Sequence, residues 1–142
     1  MRVSQSRKGA AMTSKSGAGG AITVEDIDAF GRAWGKGDLE TLMSYMADDC
    51  VFKSSVGPEP GETFVGKEEV RRGFKKLLAH DSNAVPKHGP VFVFDNKALA
   101  YWSFVYDMDC QLVEVCGVDI FEFEGRKITS KNAFRKTFPP EK

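Results

Sequence analysis

Hydrophobic positions recur at helical spacing through most of the chain as far as His80 and alternate beyond it. Ile27, Phe30 and Trp34 mark one face of a first helix. It opens at Thr23, whose hydroxyl can cap it while Asp26 reaches back, a capping box with Asp in the place of Glu. Within "GKGD" (35–38) Gly37 ends that helix and Asp38 caps a second, striped by Leu39, Leu42, Met43 and Met46. The two predict a helical hairpin. "CVFKS" and "ETFVG" then read as short strands around Gly57, Pro58, Pro60 and Gly61, a loop too rich in turn formers for regular structure. "KEEVRRGFKKLLAH" is a third helix, with Val70, Phe74, Leu77 and Leu78 on one side and a Glu68–Arg72 pair on the other.

Four long strands follow: "PVFVFD", "ALAYWSFVYDM", "LVEVCGVDIFEFE" and "KITSKNAFRKTF", joined by tight turns at "DN", "DCQ" and "EGR". Helices first and an antiparallel meander afterwards predict an α+β fold, its curved, mostly antiparallel sheet wrapped over three N-terminal helices. Alternation sorts the strand residues into two sets. One holds Trp102, Phe104, Tyr106, Gly117, Asp119, Phe121 and Phe123; the other holds Leu99, Tyr101, Val105, Val113, Val115, Val118 and Ile120. On the last strand the same count puts Ser130, Asn132 and Phe134 together and Arg135 opposite. Neither face is polar, as a sheet with one wet face should be, so the outer face is expected to meet a second copy in a homodimer.

With 142 residues the chain fits one domain with a sizeable core. Twenty basic and 20 acidic residues cancel, leaving no field to draw in nucleic acid or an anionic membrane, and neither is expected as a partner. Cys50, Cys110 and Cys116 lack CxxC spacing and only His80 and His88 could join them, so no metal and no cofactor is expected. The cysteines read as small core residues in a reducing, cytoplasmic setting, and no apolar run approaches the roughly 20 residues of a membrane span. Residues 1–21, basic, small and Gly/Ser-rich, read as a disordered leader or tag-like segment; 22–138 form the domain and 139–142 a tail.

This order of elements, with "GDLETLMSYMADDCVF", "SVGPEP" followed by "FVGKEEVRRGF", and "GVDIFEFEGRKI", resembles the nuclear transport factor 2-like superfamily, in particular its SnoaL-like and ketosteroid isomerase-like members. The resemblance runs from about Ile22 to Phe138 and implies a cone-shaped fold with a pocket at the wide end. Members include isomerases, dehydratases, epoxide hydrolases, polyketide cyclases and proteins without chemistry, so fold alone does not settle function. For an isomerase the resemblance implies a carboxylate base at Ser54 and an oxyanion-hole tyrosine at Phe30; both groups are missing, and only the second oxyanion donor is kept, at Asp119. That argues against ketosteroid isomerisation. The Asp-Arg-Asp set of this fold's epoxide hydrolases looks incomplete too, because parity turns Arg135 away.

Asp119 is the first candidate for chemistry. Mid-strand among apolar neighbours, it reads as a neutral acid or hydrogen-bond donor toward a ligand, or else as a carboxylate satisfied by a tyrosine, Asn132 or water. Phe30, Trp34, Ser54, Trp102, Phe104, Tyr106 and Asn132 are candidate ligand contacts, with His88 at the pocket mouth as a group that titrates near neutrality. His80, at a helix end, reads as a favourable C-terminal charge. Two functions stay open: binding of a small hydrophobic molecule, with or without proton transfer through Asp119, and a non-catalytic dimerisation domain with a filled cone. A cavity of about 300 Å³ or more beside Asp119 would favour the first.

Overall fold

A computed structural model describes residues 20–58 and 60–136. The leader expected over 1–21 and the tail over 139–142 fall, but for residues 20 and 21, outside the described residues. Helix α1 (Val24–Lys36) starts from the capping box: Asp26 N donates to Thr23 Oγ1 at 3.1 Å and Thr23 N to Asp26 Oδ2 at 2.9 Å. Gly37 ends it in the left-handed region, and Asp38 caps α2 (Leu39–Ser44) by accepting from Thr41 N. Helix α3 (Lys67–His80) buries Val70, Phe74 and Leu77; on its far side Arg72 reaches Glu69 rather than Glu68.

Strands β1 (Met46–Lys53), β2 (Thr63–Val65), β3 (Val85–Phe94), β4 (Lys97–Met108), β5 (Gln111–Glu124) and β6 (Lys127–Arg135) form one sheet in the order β2-β1-β6-β5-β4-β3. All neighbours are antiparallel except β1 and β6. The meander is as the sequence implies, while two strands begin earlier. β1 takes in Met46, read from sequence as the end of a helical stripe, and β3 starts five residues ahead of Pro90. β3 tolerates Pro86 and Pro90 because it is an edge strand, where a missing N–H leaves no neighbour unpaired.

Helix α1 packs on β3 and β4 and α3 on β1 and β2, so the helices fill the concave side of the sheet. The core between them is aromatic: Phe30 meets Phe121 edge-on at 5.4 Å, Trp34 meets Phe74 at 5.0 Å, and Phe74 meets Phe52 at 4.9 Å. Each such burial is worth about 1.5–3 kcal/mol. Cys50 belongs to this core, whereas Cys110, at the β4–β5 turn, and Cys116 are exposed, against the expectation that all three are buried. Among the described residues no helix is long and apolar enough to cross a membrane.

Two irregularities set which side chains enter the concave side. Opposite Trp102, Gly117 leaves room for an indole laid flat across β5; a Cβ there would lie 2.3 Å from the ring and 2.5 Å from Phe134 O. A β-bulge between β5 and β6 then changes the register after the Glu122–Ser130 pair. Ile128 faces inward before it, and Lys131, Ala133 and Arg135 face inward after it. Asn132 and Phe134 are therefore on the outer face, reversing the parity count for β6, and Phe134 is half exposed. On β5, Val113 and Val115 stand opposite Tyr106 and Phe104 and share the concave face with Gly117 and Asp119, correcting their place in the outer set; unbroken alternation along β5 already requires this.

Candidate functional site

Between α1 and the concave face of β3–β6 lies a cavity of about 70 Å³, lined by Phe30, Trp34, His88, Trp102, Phe104, Asp119, Lys131 and Arg135 among others. Phe30 and Trp34 form its floor from α1, and Trp102 and Phe104 its wall from β4. His88, inward on β3, lies over Gly31 of α1, with Nδ1 3.4 Å from where a Cβ would stand. A neighbouring hollow of about 200 Å³ shares Trp34, Asp81 and Phe104 with the cavity and is bordered by Leu78 and Ala84. At about 70 Å³ the cavity falls well short of the roughly 300 Å³ that would favour ligand binding, so volume alone speaks for the filled cone; the space holds roughly five waters.

Three sequence candidates are not in that lining. Ser54 is buried, but its hydroxyl accepts from Val56 N at 3.1 Å and its N–H donates to Glu62 O at 2.9 Å, so it closes the 54–62 loop on itself. Gly61, at φ 140°, passes so close to Ser54 O that a Cβ would lie 2.1 Å away, which only glycine permits. The neighbouring Ser55 faces the cavity instead. Asn132 is turned away by the bulge. The hydroxyl of Tyr106 is taken up by Asp81 and Arg135, which displaces it from a ligand role.

Asp119 lies in the cavity wall, with a partner that parity had placed on the far face. Lys131 Nζ is 3.2 Å from Asp119 Oδ2, and the side chains are 4% and 14% exposed. The ammonium also sits over the ring of Trp34 at 4.3 Å and that of Phe52 at 4.9 Å, where the negative ring faces attract it. A carboxylate facing an ammonium accepts rather than donates, so the arrangement corrects the reading of Asp119 as a neutral donor. Two buried polar atoms, Trp102 Nε1 and Asp119 Oδ1, have no hydrogen-bond partner among the described residues. One can only donate and the other accepts.

A second buried pair seals the mouth. Arg135 Nη2 donates to Asp81 Oδ2 at 2.8 Å and Nη1 to Oδ1 at 3.2 Å, a two-pronged bond with both side chains 5% exposed. Arg135 also reaches Tyr106 Oη at 2.8 Å and Ser55 Oγ at 3.2 Å, and its guanidinium stacks near Trp102. Tyr106 donates to Asp81 Oδ1 at 2.6 Å, and His80 Nδ1 lies 2.8 Å from the same oxygen. Burial alone would push Asp81 up, but hydrogen bonds from Arg135, Tyr106 and His80 outweigh it and hold the carboxyl below its ordinary range. Burial, then the bond to Asp81, push the Tyr106 phenol up. Sequence reasoning missed Asp81, Lys131 and Arg135 as a group, because nothing local in "ITSKNAFR" announces the bulge that brings the two cations inside.

The cone of three helices inside a curved sheet is the nuclear transport factor 2-like architecture, and solved structures share it. Similar to this chain are a nuclear transport factor 2-like protein of unknown function from Mesorhizobium loti (TM-score 0.65, 18% identity, covering 80% of this chain and 89% of that one) and a protein of unknown function with a cystatin-like fold from Xanthomonas campestris (0.67, 18%, 82% and 92%). A third is a hypothetical protein with a ketosteroid isomerase-like fold from Catenulispora acidiphila, in complex with trimethylamine (0.65, 16%, 80% and 86%). At these identities the likeness is one of fold. No curated protein matches the chain. The SnoaL-like domain family matches residues 27–131, and the chain belongs to that family.

The Asp81–Arg135 pair has a testable pH signature. Because the folded-state value of Asp81 is depressed, its stabilisation is present above the ordinary carboxylate value of about 3.9 and is lost as pH falls through the folded value. Asp81→Asn is expected to cost about 3 kcal/mol or more in urea unfolding at pH 7, by leaving a buried guanidinium without its anion. The gap to wild type should narrow below about pH 4; a gap independent of pH contradicts the assignment.

Proposed function

We propose that the protein binds a small, mostly apolar molecule with one polar end, held by Trp102 and Asp119 in the cavity. The observation that carries this reading is the pair of unpartnered buried atoms, Trp102 Nε1 and Asp119 Oδ1, in the wall of one cavity. An unsatisfied buried polar group costs about 1–3 kcal/mol. A hydroxyl group can accept from the indole N–H or donate to the carboxylate, while a carbonyl answers the indole. The aromatic floor and wall suit the rest of the molecule. A guest of about five non-hydrogen atoms fits the space; a steroid or polyketide does not.

Asp119 is also the group through which proton transfer would run, with Oδ1 free to take a proton and Lys131 at Oδ2 to stabilise the carboxylate. Ketosteroid isomerisation finds no support: Ser54 is spent on its own loop, and Phe30 carries no hydroxyl. Trimethylamine in the Catenulispora neighbour is a small guest in the same fold, which fits a small-molecule reading of this cone.

Apolar exposure on the outer sheet face supports self-association as a second property. Phe92, Tyr101 and Phe134 are each 45–51% exposed there, beside Leu99, Val118 and Ile120. Contiguous apolar patches of this kind mark interaction surfaces, and a second copy offers the same apolar stripe, bordered by the exposed Lys97–Glu122 and Lys87–Glu114 pairs.

Thermal shift with butan-1-ol, cyclopentanol and cyclopentanone tests the cavity. Wild type should be stabilised by at least one of them, with the shift reduced by half or more in Asp119→Asn and in Trp102→Phe; equal shifts in all three proteins remove both residues from the site. For the dimer, light scattering after size exclusion should give twice the chain mass at micromolar concentration, and Phe134→Lys should give the monomer. A wild-type monomer refutes it.

A further inference from the structure

We infer that the guest of the cavity is a small, uncharged primary or secondary amide, its carbonyl oxygen accepting from Trp102 Nε1 and its N–H donating to Asp119 Oδ1. The inference rests on the reading that the cavity takes a small polar-ended molecule, and it names the chemical class of that molecule. Charge narrows the choice first. Each Asp, Lys and Arg of the lining has an ionic partner: Asp119 has Lys131 at 3.2 Å, Asp81 has Arg135 at 2.8 Å, Asp28 has Arg32 and Lys87 has Glu114. The ring faces of Trp34 and Phe52 stabilise the Lys131 ammonium further. A charged guest would therefore give up its hydration without gaining a counter-ion, and the cavity favours a neutral one.

What the wall leaves open is one donor and one acceptor. Trp102 Nε1 has a hydrogen to give and no lone pair; Asp119 Oδ1, on an ionised carboxyl, has lone pairs and no hydrogen. Trp102 pairs with Gly117 and Asp119 with Ala100, so the two are diagonal neighbours on the concave face, with backbones about 7–8 Å apart. Gly117, without a side chain, lets the indole lie across the strand that carries Asp119. A guest that serves both atoms needs an acceptor and a donor side by side and no charge. A ketone or an ether only accepts. An ammonium only donates, and a carboxylate only accepts and meets Asp119 with like charge. An alcohol has a single oxygen for both roles. An amide carries an oxygen acceptor and an N–H donor on one carbon, stays neutral, and gives the carboxylate a charge-assisted bond. Propanamide, with five non-hydrogen atoms, matches the space of about five.

The full chain is titrated with propanamide, N,N-dimethylformamide and butan-2-one, three molecules of equal heavy-atom count, and binding is followed by NMR at the Trp102 indole N–H. Propanamide alone offers both a donor and an acceptor; the other two only accept. It should bind about tenfold or more tighter than either, because only it satisfies the carboxylate oxygen. The Trp102 indole proton should move downfield as the bond forms. Asp119→Asn puts an amide NH₂ in the place of the accepting oxygen, so the wall then presents two donors and the preference for propanamide should vanish. A preference that persists unchanged in this variant overturns the role of Oδ1; should the variant fail to fold, the wild-type comparison decides alone. Propanamide binding no tighter than N,N-dimethylformamide and butan-2-one overturns the amide. The butan-1-ol melting shift, read in parallel, then separates the two proposals: a shift leaves the cavity as a binding site, and no shift with no binding of the three probes overturns both.

Discussion

The bulge between β5 and β6 is the constraint on which the interior depends, because one residue of slip turns two cations from the outer face of the sheet to its concave face. A lysine and an arginine inside an apolar cone are affordable only if each meets an anion, and each does: Lys131 meets Asp119 on β5, and Arg135 meets Asp81 at the end of α3. The two pairs divide the work. Arg135 ties the last strand to α3, to Tyr106 on β4 and to Ser55 in the loop, and so fixes the mouth. Lys131, roofed by Trp34 and Phe52, holds Asp119 by one oxygen and leaves the other free. Buried pairs like these are poor sources of net stability but strong ones of specificity, since breaking either leaves a charge uncompensated.

Much of the architecture is legible along the chain because its signals are local. The capping box at Thr23, the Gly37–Asp38 hinge and the helical stripes each occupy a few adjacent residues, and the meander follows from alternation and short turns. Trp102, Phe104 and Asp119 share a face for the same reason. The β6 face was not legible: "ITSKNAFR" contains neither glycine nor proline to announce a bulge, and simple alternation sends Phe134 inward and Lys131 outward. What favours the opposite arrangement is carried by Asp81 and Asp119, 54 and 12 residues away from Arg135 and Lys131 along the chain. No window of local sequence can weigh those partners. The exposed Cys110 and Cys116 show a related limit, for residue type alone does not reveal which face of a strand or turn it will occupy.

Membership of the SnoaL-like family gives the cone, and the side chains give this cone its character. The loop from Ser54 to Glu62 keeps the path of a site lip through Gly61 and the Ser54–Glu62 bond, yet Ser54 supplies no base and Ser55 only anchors Arg135. Buried polar groups of the cavity stand instead on the sheet, at Trp102, Asp119 and Lys131. The aromatic filling explains why the enclosed space is small.

The account stands or falls on Lys131 being inside. Proton NMR of the side chain tests this directly: the Lys131 methylene resonances should be displaced upfield by the Trp34 and Phe52 rings and show cross-relaxation to them. Methylene shifts typical of an exposed lysine, with the Asn132 amide contacting Trp34 in its place, would contradict the reversal of β6 and everything built on it.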